Sequence, residues 1–136
     1  MADNYLEKKF DEYQQRKRTS PKGRTSLPSQ PMRRVFITGG ANGIGQALVR
    51  AFRAAGHRVA FCDVDEAKGK ELALRTGAAF YPVDVREANR LEACMDQLFE
   101  DWGDLDVLIN NVGVSDFKPL TACSVEEFDR ILSVNL

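Results

Sequence analysis

Two spacings of apolar residues alternate along the chain from Arg34 onward, and together they predict alternating strands and helices. Short apolar runs, typical of strands buried in a parallel sheet, occupy 35–37, 58–63, 79–83 and 107–109. Apolar residues at helical spacing follow the runs 35–37, 79–83 and 107–109, and a helix over 66–75 is predicted after the run 58–63. Because the links are short, this order predicts right-handed crossovers, and therefore an α/β fold with a parallel sheet.

Three of the predicted helices carry a defined apolar face. The residues of these faces recur at offsets of three and four: Ile44, Ala47, Leu48, Ala51, Phe52 and Ala55; Leu91, Cys94, Met95, Leu98, Phe99 and Trp102; Val125, Phe128, Ile131, Leu132 and Asn135. Gly77 and Gly103 are typical helix ends, and Ser124 with Glu127 predicts a capping box at the start of the last helix.

Residues 1–33 differ in composition from the rest of the chain. Leu6, Phe10 and Tyr13 form a narrow apolar stripe, which predicts a helix from about Asn4 to Arg18, and 19–31 is a linker rich in proline and serine. Eight Lys or Arg against four Asp or Glu give this segment a charge of +4. The pattern is typical of a solvated tail; a helix that docks on a partner, or contact with RNA or an acidic membrane surface, are the alternatives.

Composition narrows the class of protein. The chain has 136 residues, 43% hydrophobic and 29% charged, with a net charge of −1 that does not favour a nucleic-acid partner. No apolar run approaches the ~18 residues of a membrane span, and residues 1–9 lack the apolar core of a signal peptide. Three cysteines without C-x-x-C spacing and a single histidine predict a cytoplasmic protein without a metal site.

A glycine-rich turn joins the first strand to the first helix. At such a turn, unpaired backbone N–H groups and the positive end of the helix dipole attract an anion, and glycines let the backbone approach a pyrophosphate. The sequence therefore predicts a dinucleotide-binding turn. Its candidate cofactor-binding residues are Thr38, Gly39, Asn42, Gly43, Ile44 and Gly45.

Asp63 ends the second strand, 18 residues after Gly45. A carboxylate at this place accepts hydrogen bonds from the ribose hydroxyls of a dinucleotide, and its charge repels a 2′-phosphate. Asn42 offers no cation that would attract such a phosphate, so we expect NAD rather than NADP. The alternative for Asp63 is a carboxylate that only caps a turn or a helix.

These motifs together resemble the short-chain dehydrogenase/reductase family from about Arg34 to Leu136. They are Thr38-Gly39-x-x-x-Gly43-x-Gly45, Asp63, Asp84-Val85 and Asn110-Asn111-Val112-Gly113. The resemblance implies a Rossmann-type parallel sheet of strand order 3-2-1-4. It also implies that Asp84 and the Val85 N–H bind the adenine, and that Asn110 to Gly113 line the adenosine side and steady the sheet. Val112 stands where the family usually has alanine.

The resemblance also implies a role for Asn135. In the family an asparagine here holds a water of the proton relay, which would make Asn135 part of the catalytic machinery once the remaining catalytic residues are present. Because Asn135 lies on the apolar stripe of the last helix, we expect its amide to have hydrogen-bond partners. An asparagine that simply ends a helix is the alternative.

The family's catalytic serine and Tyr-x-x-x-Lys fall beyond the position of Leu136. The Tyr-x-x-x-Lys spacings at Tyr5 and Tyr13 precede the first strand, so we do not expect them to be catalytic. We therefore expect the NAD-binding portion of an alcohol/carbonyl oxidoreductase, truncated before strand five and inactive alone. The alternatives are a non-catalytic nucleotide-binding or interaction module, or one part of a split enzyme. The edge of the fourth strand would then favour self-association or a complementing chain.

Overall fold

The computed structural model describes residues 8, 11, 12, 15, 30–115 and 118–136. The chain divides into two compact units, 1–30 and 31–136. In the first unit, four of the described residues are helical and exposed: Lys8, Asp11, Glu12 and Gln15. The predicted stripe of Leu6, Phe10 and Tyr13, and nearly all of the predicted linker, lie outside the described residues.

The second unit alternates strands and helices, as the apolar pattern predicts. In chain order, these are β1 (Arg34–Thr38), α1 (Gly43–Ala54), β2 (Arg58–Asp63), α2 (Glu66–Thr76), β3 (Ala79–Pro82), α3 (Ala88–Trp102), β4 (Val107–Ile109) and α4 (Val125–Asn135). A short 3₁₀ helix, Leu120–Ala122, precedes α4. The four strands form one parallel sheet in the order β3-β2-β1-β4, which confirms the predicted topology.

Local chemistry fixes the ends of the helices. The Asp65 side chain caps α2 by accepting from the Lys68 N–H at 3.1 Å. Gly103 ends α3 in the left-handed conformation, with a φ of 77°. The predicted capping box of α4 is present, because Ser124 and Glu127 each accept from the other's backbone N–H.

Side chains from the two faces of the sheet form two apolar clusters, because successive residues of a strand point to opposite sides. Val35 and Ile37 of β1 belong to the cluster on the side of α1 and α2. Phe36, between them, belongs to the other cluster, with Cys94 and Leu98 of α3. Both faces of β1 are therefore buried.

The buried side of α1 differs from the apolar stripe seen in the sequence. Gly45 and Val49 are buried, whereas Ile44 is 74% exposed. Gly45 has no side chain, so its burial adds nothing to the apolar pattern.

The last part of the sheet is less covered, as the sequence predicts. Leu108 of the edge strand β4 is 52% exposed, and Phe128 and Leu132 of α4 are also exposed. Among the described residues, α4 has no buried side chain. No helix in the described part of the chain combines the length and the apolar character that crossing a membrane requires.

Candidate functional site

A cavity of about 580 Å³ opens at the carboxyl ends of the strands, where the order of the sheet reverses between β1 and β4. In open parallel sheets this crevice is where ligands bind. Its volume falls in the usual range for small-molecule sites. It is lined by Gly39, Asn42, Gly43, Ile44, Asp63, Val64, Val83, Asp84, Val85, Arg86, Asn111, Val112, Gly113, Val114, Arg130 and Val134.

The three glycines of the predicted motif have three different structural roles. Gly39 has a φ of 68°, and a Cβ there would lie 2.9 Å from Cγ2 of Val112. A Cβ at Gly45 would lie only 2.0 Å from the carbonyl oxygen of Gly39, so Gly45 lets α1 pack against the turn. Gly43, with a φ of 52°, faces open space. Of the three, Gly43 is therefore the one that leaves room for a ligand.

The N-terminus of α1 borders the cavity without a side-chain cap. Asn42 occupies the N-cap position with extended backbone (φ −137°, ψ 162°), yet its side chain makes no capping hydrogen bond. The first N–H groups of a helix have no partner within the helix, and they carry its positive partial charge. Gly43 and Ile44 also line the cavity, so this end of α1 presents a positive potential to it.

Thr38 and Asn111 tie the turn to the segment that follows β4. The Thr38 hydroxyl is buried and accepts from the N–H groups of Asn111 and Val112 at 3.0 and 3.2 Å. The Asn111 amide in turn donates to the carbonyl oxygens of Thr38 and Gly39, each at 3.1 Å. These bonds hold the ends of β1 and β4 together at the cavity wall. Thr38 itself does not line the cavity.

Asp63 lines the cavity and also organises the turn. One carboxylate oxygen accepts from the Ala41 N–H and the other from the Asp65 N–H, both at 3.0 Å. The turn-capping alternative considered from the sequence is therefore present. The Asp63 carboxylate can still accept hydrogen bonds from a ligand, because an ionised carboxylate can accept about four of them.

Asp84 and Val85 line the far side of the cavity, where Arg86 joins them. The Arg86 guanidinium binds the Asp84 carboxylate, with Nη2 at 2.6 Å from Oδ2, and lowers the pKa of Asp84. The sequence reasoning did not identify Arg86. Its position two residues after the aspartate is the signal that was available.

Three of the four residues of the predicted motif Asn110 to Gly113 line the cavity, and one does not. Asn111, Val112 and Gly113 line the cavity, whereas Asn110 is exposed and lies outside its lining.

Asn135 is exposed and does not line the cavity. The expected hydrogen-bond partners are present, and both belong to Val114: Nδ2 donates to its carbonyl at 2.8 Å, and Oδ1 accepts from its N–H at 2.9 Å. The amide thus fastens the end of α4 to the segment after β4. From α4, Arg130 and Val134 are the residues that reach the cavity.

A basic residue lies near the turn, although Asn42 itself offers no cation. Lys68 of α2 donates from Nζ to Asn42 Oδ1 at 2.9 Å. The contact joins residues 26 positions apart, so no local motif predicts it.

The cysteines and potential metal ligands of the described part of the chain provide neither a disulfide nor a metal cluster. All three cysteines are free thiols, and burial raises the pKa of Cys62 and of Cys94 to about 11. Within the described residues, no group of three or more His, Cys, Asp or Glu is arranged to hold a metal ion.

The chain is similar to known proteins over the second unit. A family model described as short chain dehydrogenase matches residues 33–136. L-fucose dehydrogenase of Mus musculus is 39% identical over 104 residues, which cover 75% of this chain and 38% of that protein. The chain spans about two fifths of the length of the curated relatives it matches.

Two solved structures share the fold. A short chain dehydrogenase from Bacillus anthracis matches with a TM-score of 0.71 and 26% identity, over 75% of this chain and 43% of that one. ElxO with NADP bound matches with a TM-score of 0.70 and 26% identity, over 77% and 45%. The family binds a nicotinamide dinucleotide. Sheet order, glycine turn and family model agree, and the chain belongs to the short-chain dehydrogenase family.

Proposed function

We propose that residues 34–136 form the dinucleotide-binding portion of an alcohol/carbonyl oxidoreductase and that they bind NAD in preference to NADP. The observation that carries this proposal is the convergence, on one cavity, of the uncapped N-terminus of α1 and the carboxylates of Asp63 and Asp84. The open space beside Gly43 suits a pyrophosphate, because backbone N–H groups can approach it without a Cβ between them.

The adenosine and pyrophosphate parts of the dinucleotide each have a counterpart in this chain. The first turn of α1, at Gly43 and Ile44, would hold the pyrophosphate, and Asp63 would accept from the adenosine ribose. Asp84 and the Val85 N–H would bind the adenine. The cofactor, once bound, supplies the hydride chemistry; the residues named here bind and orient it.

Asp63 is the reason for preferring NAD. Its negative charge at the cavity wall opposes the 2′-phosphate of NADP. Lys68, which contacts the neighbouring Asn42, carries a positive charge that would attract the 2′-phosphate. It therefore reduces the expected preference for NAD over NADP. Since the similar ElxO structure contains NADP, the preference needs a direct measurement.

Calorimetric titration with NAD and NADP tests the proposal. Asp63→Ala should weaken NAD binding about tenfold or more, because hydrogen bonds to a charged group contribute about 1.5–3 kcal/mol. Asp63→Asn keeps an acceptor and removes the charge, so it should narrow the difference between NAD and NADP. Thermal melting of both variants controls for the loss of the turn contacts to Ala41 and Asp65. Equal NAD affinity for wild type and Asp63→Ala, in a folded variant, would contradict the proposal.

Among residues 34–136, a catalytic role is proposed for Asn135 alone. We propose that Asn135 takes part in holding the water of the proton relay, with its amide already oriented by Val114. The Tyr-x-x-x-Lys spacing of the family does not occur between 34 and 136.

Two further features support the setting proposed from the sequence. Leu108 is exposed on the edge strand β4, and we infer that this edge pairs with a further strand. The three free thiols suit a reducing compartment such as the cytoplasm.

A further inference from the structure

Asn42 occupies a capping position without capping the helix. Asparagine is among the preferred N-cap residues, and extended N-cap backbone normally lets its side chain accept from the second or third N–H of the helix. Here the backbone is extended, and its carbonyl accepts from the Gln46 N–H at 3.1 Å, as an N-cap carbonyl should. Only the side-chain bond to α1 is missing.

Lys68 donates a hydrogen bond to the Asn42 side-chain oxygen that would otherwise cap α1. Its Nζ lies 2.9 Å from Asn42 Oδ1 and 4.0 Å from Asp65 Oδ2. Asp65 is the N-cap residue of α2, and Asn42 is the N-cap residue of α1. The Lys68 ammonium therefore lies between the N-caps of the two helices.

We propose that Lys68 is a positioning residue: it holds the Asn42 amide away from α1 and keeps the N–H groups of the first turn open to an anion. The inference rests on the proposed function, because the anion served is the pyrophosphate of the dinucleotide. Without the lysine, Asn42 turns onto the helix and competes with the ligand for the same N–H groups. The N-terminus of α1 gains a cap and loses part of its affinity for anions.

The size of the effect follows from the value of a cap. An N-cap side chain contributes roughly 1 kcal/mol, so Lys68→Met should weaken NAD binding about fivefold. Inorganic pyrophosphate, used as a probe of the helix end alone, should weaken by a similar factor. Lys68→Arg retains a donor and should stay within about twofold of wild type.

A double-variant cycle with Asn42→Gly separates this mechanism from simple charge attraction. Glycine has no side chain to compete, so Lys68→Met should lose its effect on NAD affinity in the Asn42→Gly background. If Lys68→Met weakens binding equally in both backgrounds, the lysine acts through its own charge and the positioning role is overturned. Unchanged affinity in Lys68→Met with Asn42 present would overturn it as well.

Amide hydrogen exchange of the ligand-free 136-residue chain tests the same idea independently of the cofactor. Lys68→Met should slow exchange at the N–H groups of Ile44 or Gly45, which gain a hydrogen bond from Asn42, and Lys68→Arg should not. Unaltered exchange in Lys68→Met would overturn the proposal. Failure of the wild-type chain to bind either dinucleotide would instead count against the proposed function, while the exchange result still decides the role of Lys68.

Discussion

Replacing Gly45 with alanine tests the packing that shapes the cofactor turn. The new Cβ would lie 2.0 Å from the Gly39 carbonyl oxygen and 2.7 Å from Nδ2 of Asn111. The obstruction is backbone, and Gly39 is itself held by its N–H bond to the Cys62 carbonyl at 2.8 Å. Overpacking costs about 1–3 kcal/mol, and a fixed backbone atom places this variant near about 3 kcal/mol. At about 4 °C per kcal/mol for a unit of this size, Tm should fall by about 12 °C.

Thermal unfolding followed by far-UV circular dichroism measures this loss, and two other glycines provide matched controls. Gly56 and Gly43 have positive φ values of 85° and 52°, and a Cβ at either would meet nothing within 4 Å. Alanine at either site should therefore cost only the left-handed backbone strain, about 1 kcal/mol. Gly43→Ala should also weaken NAD binding, whereas Gly56→Ala should not. A Gly45→Ala variant that melts within about 3 °C of Gly56→Ala would refute the packing argument.

Two further predictions concern the sheet. Arg34 holds the pKa of Asp106 at about 2, so this pair contributes stability that is present above about pH 4 and is lost as the pH falls towards 2. Asp106→Asn should therefore lower Tm at neutral pH and make Tm depend less on pH in the acid range. Asp104→Asn should alter this dependence less. If Tm of Asp106→Asn falls with pH as in the wild type, the stabilising role of the pair is contradicted. Leu108→Lys should reduce any association through the edge of β4 in sedimentation velocity, and a wild-type chain that is already monomeric would argue against pairing there.

The helices and strands were predictable because their signals are local, whereas the strand order 3-2-1-4 came from the resemblance to the family. The strands 58–63 and 107–109 match the structure to the residue, since each is an apolar run bounded by residues that end a strand. The capping box at Ser124 was equally readable, because its two partners are three positions apart. Short-range chemistry therefore made most of the secondary structure predictable.

Contacts made by long polar side chains were not predictable. Lys68 meets Asn42 across two helices, and no periodicity marks either residue. The burial of Gly45 on α1 was not predictable for a different reason: glycine has no side chain and adds nothing to an apolar pattern. For Asn135 the need for partners was foreseeable, but only the folded chain shows that Val114 supplies both.

The hydroxyl of Thr38 also has a consequence for how the chain folds. Its bonds to the N–H groups of Asn111 and Val112 close loops of more than 70 residues, whereas β1, β2 and β3 pair across much shorter stretches. Loop-closure entropy makes such distant pairings the slow ones. A chain emerging from the ribosome can thus assemble β3-β2-β1 before the wall of the cofactor cavity exists. Acquisition of dinucleotide binding should therefore follow the pairing of β4 with β1.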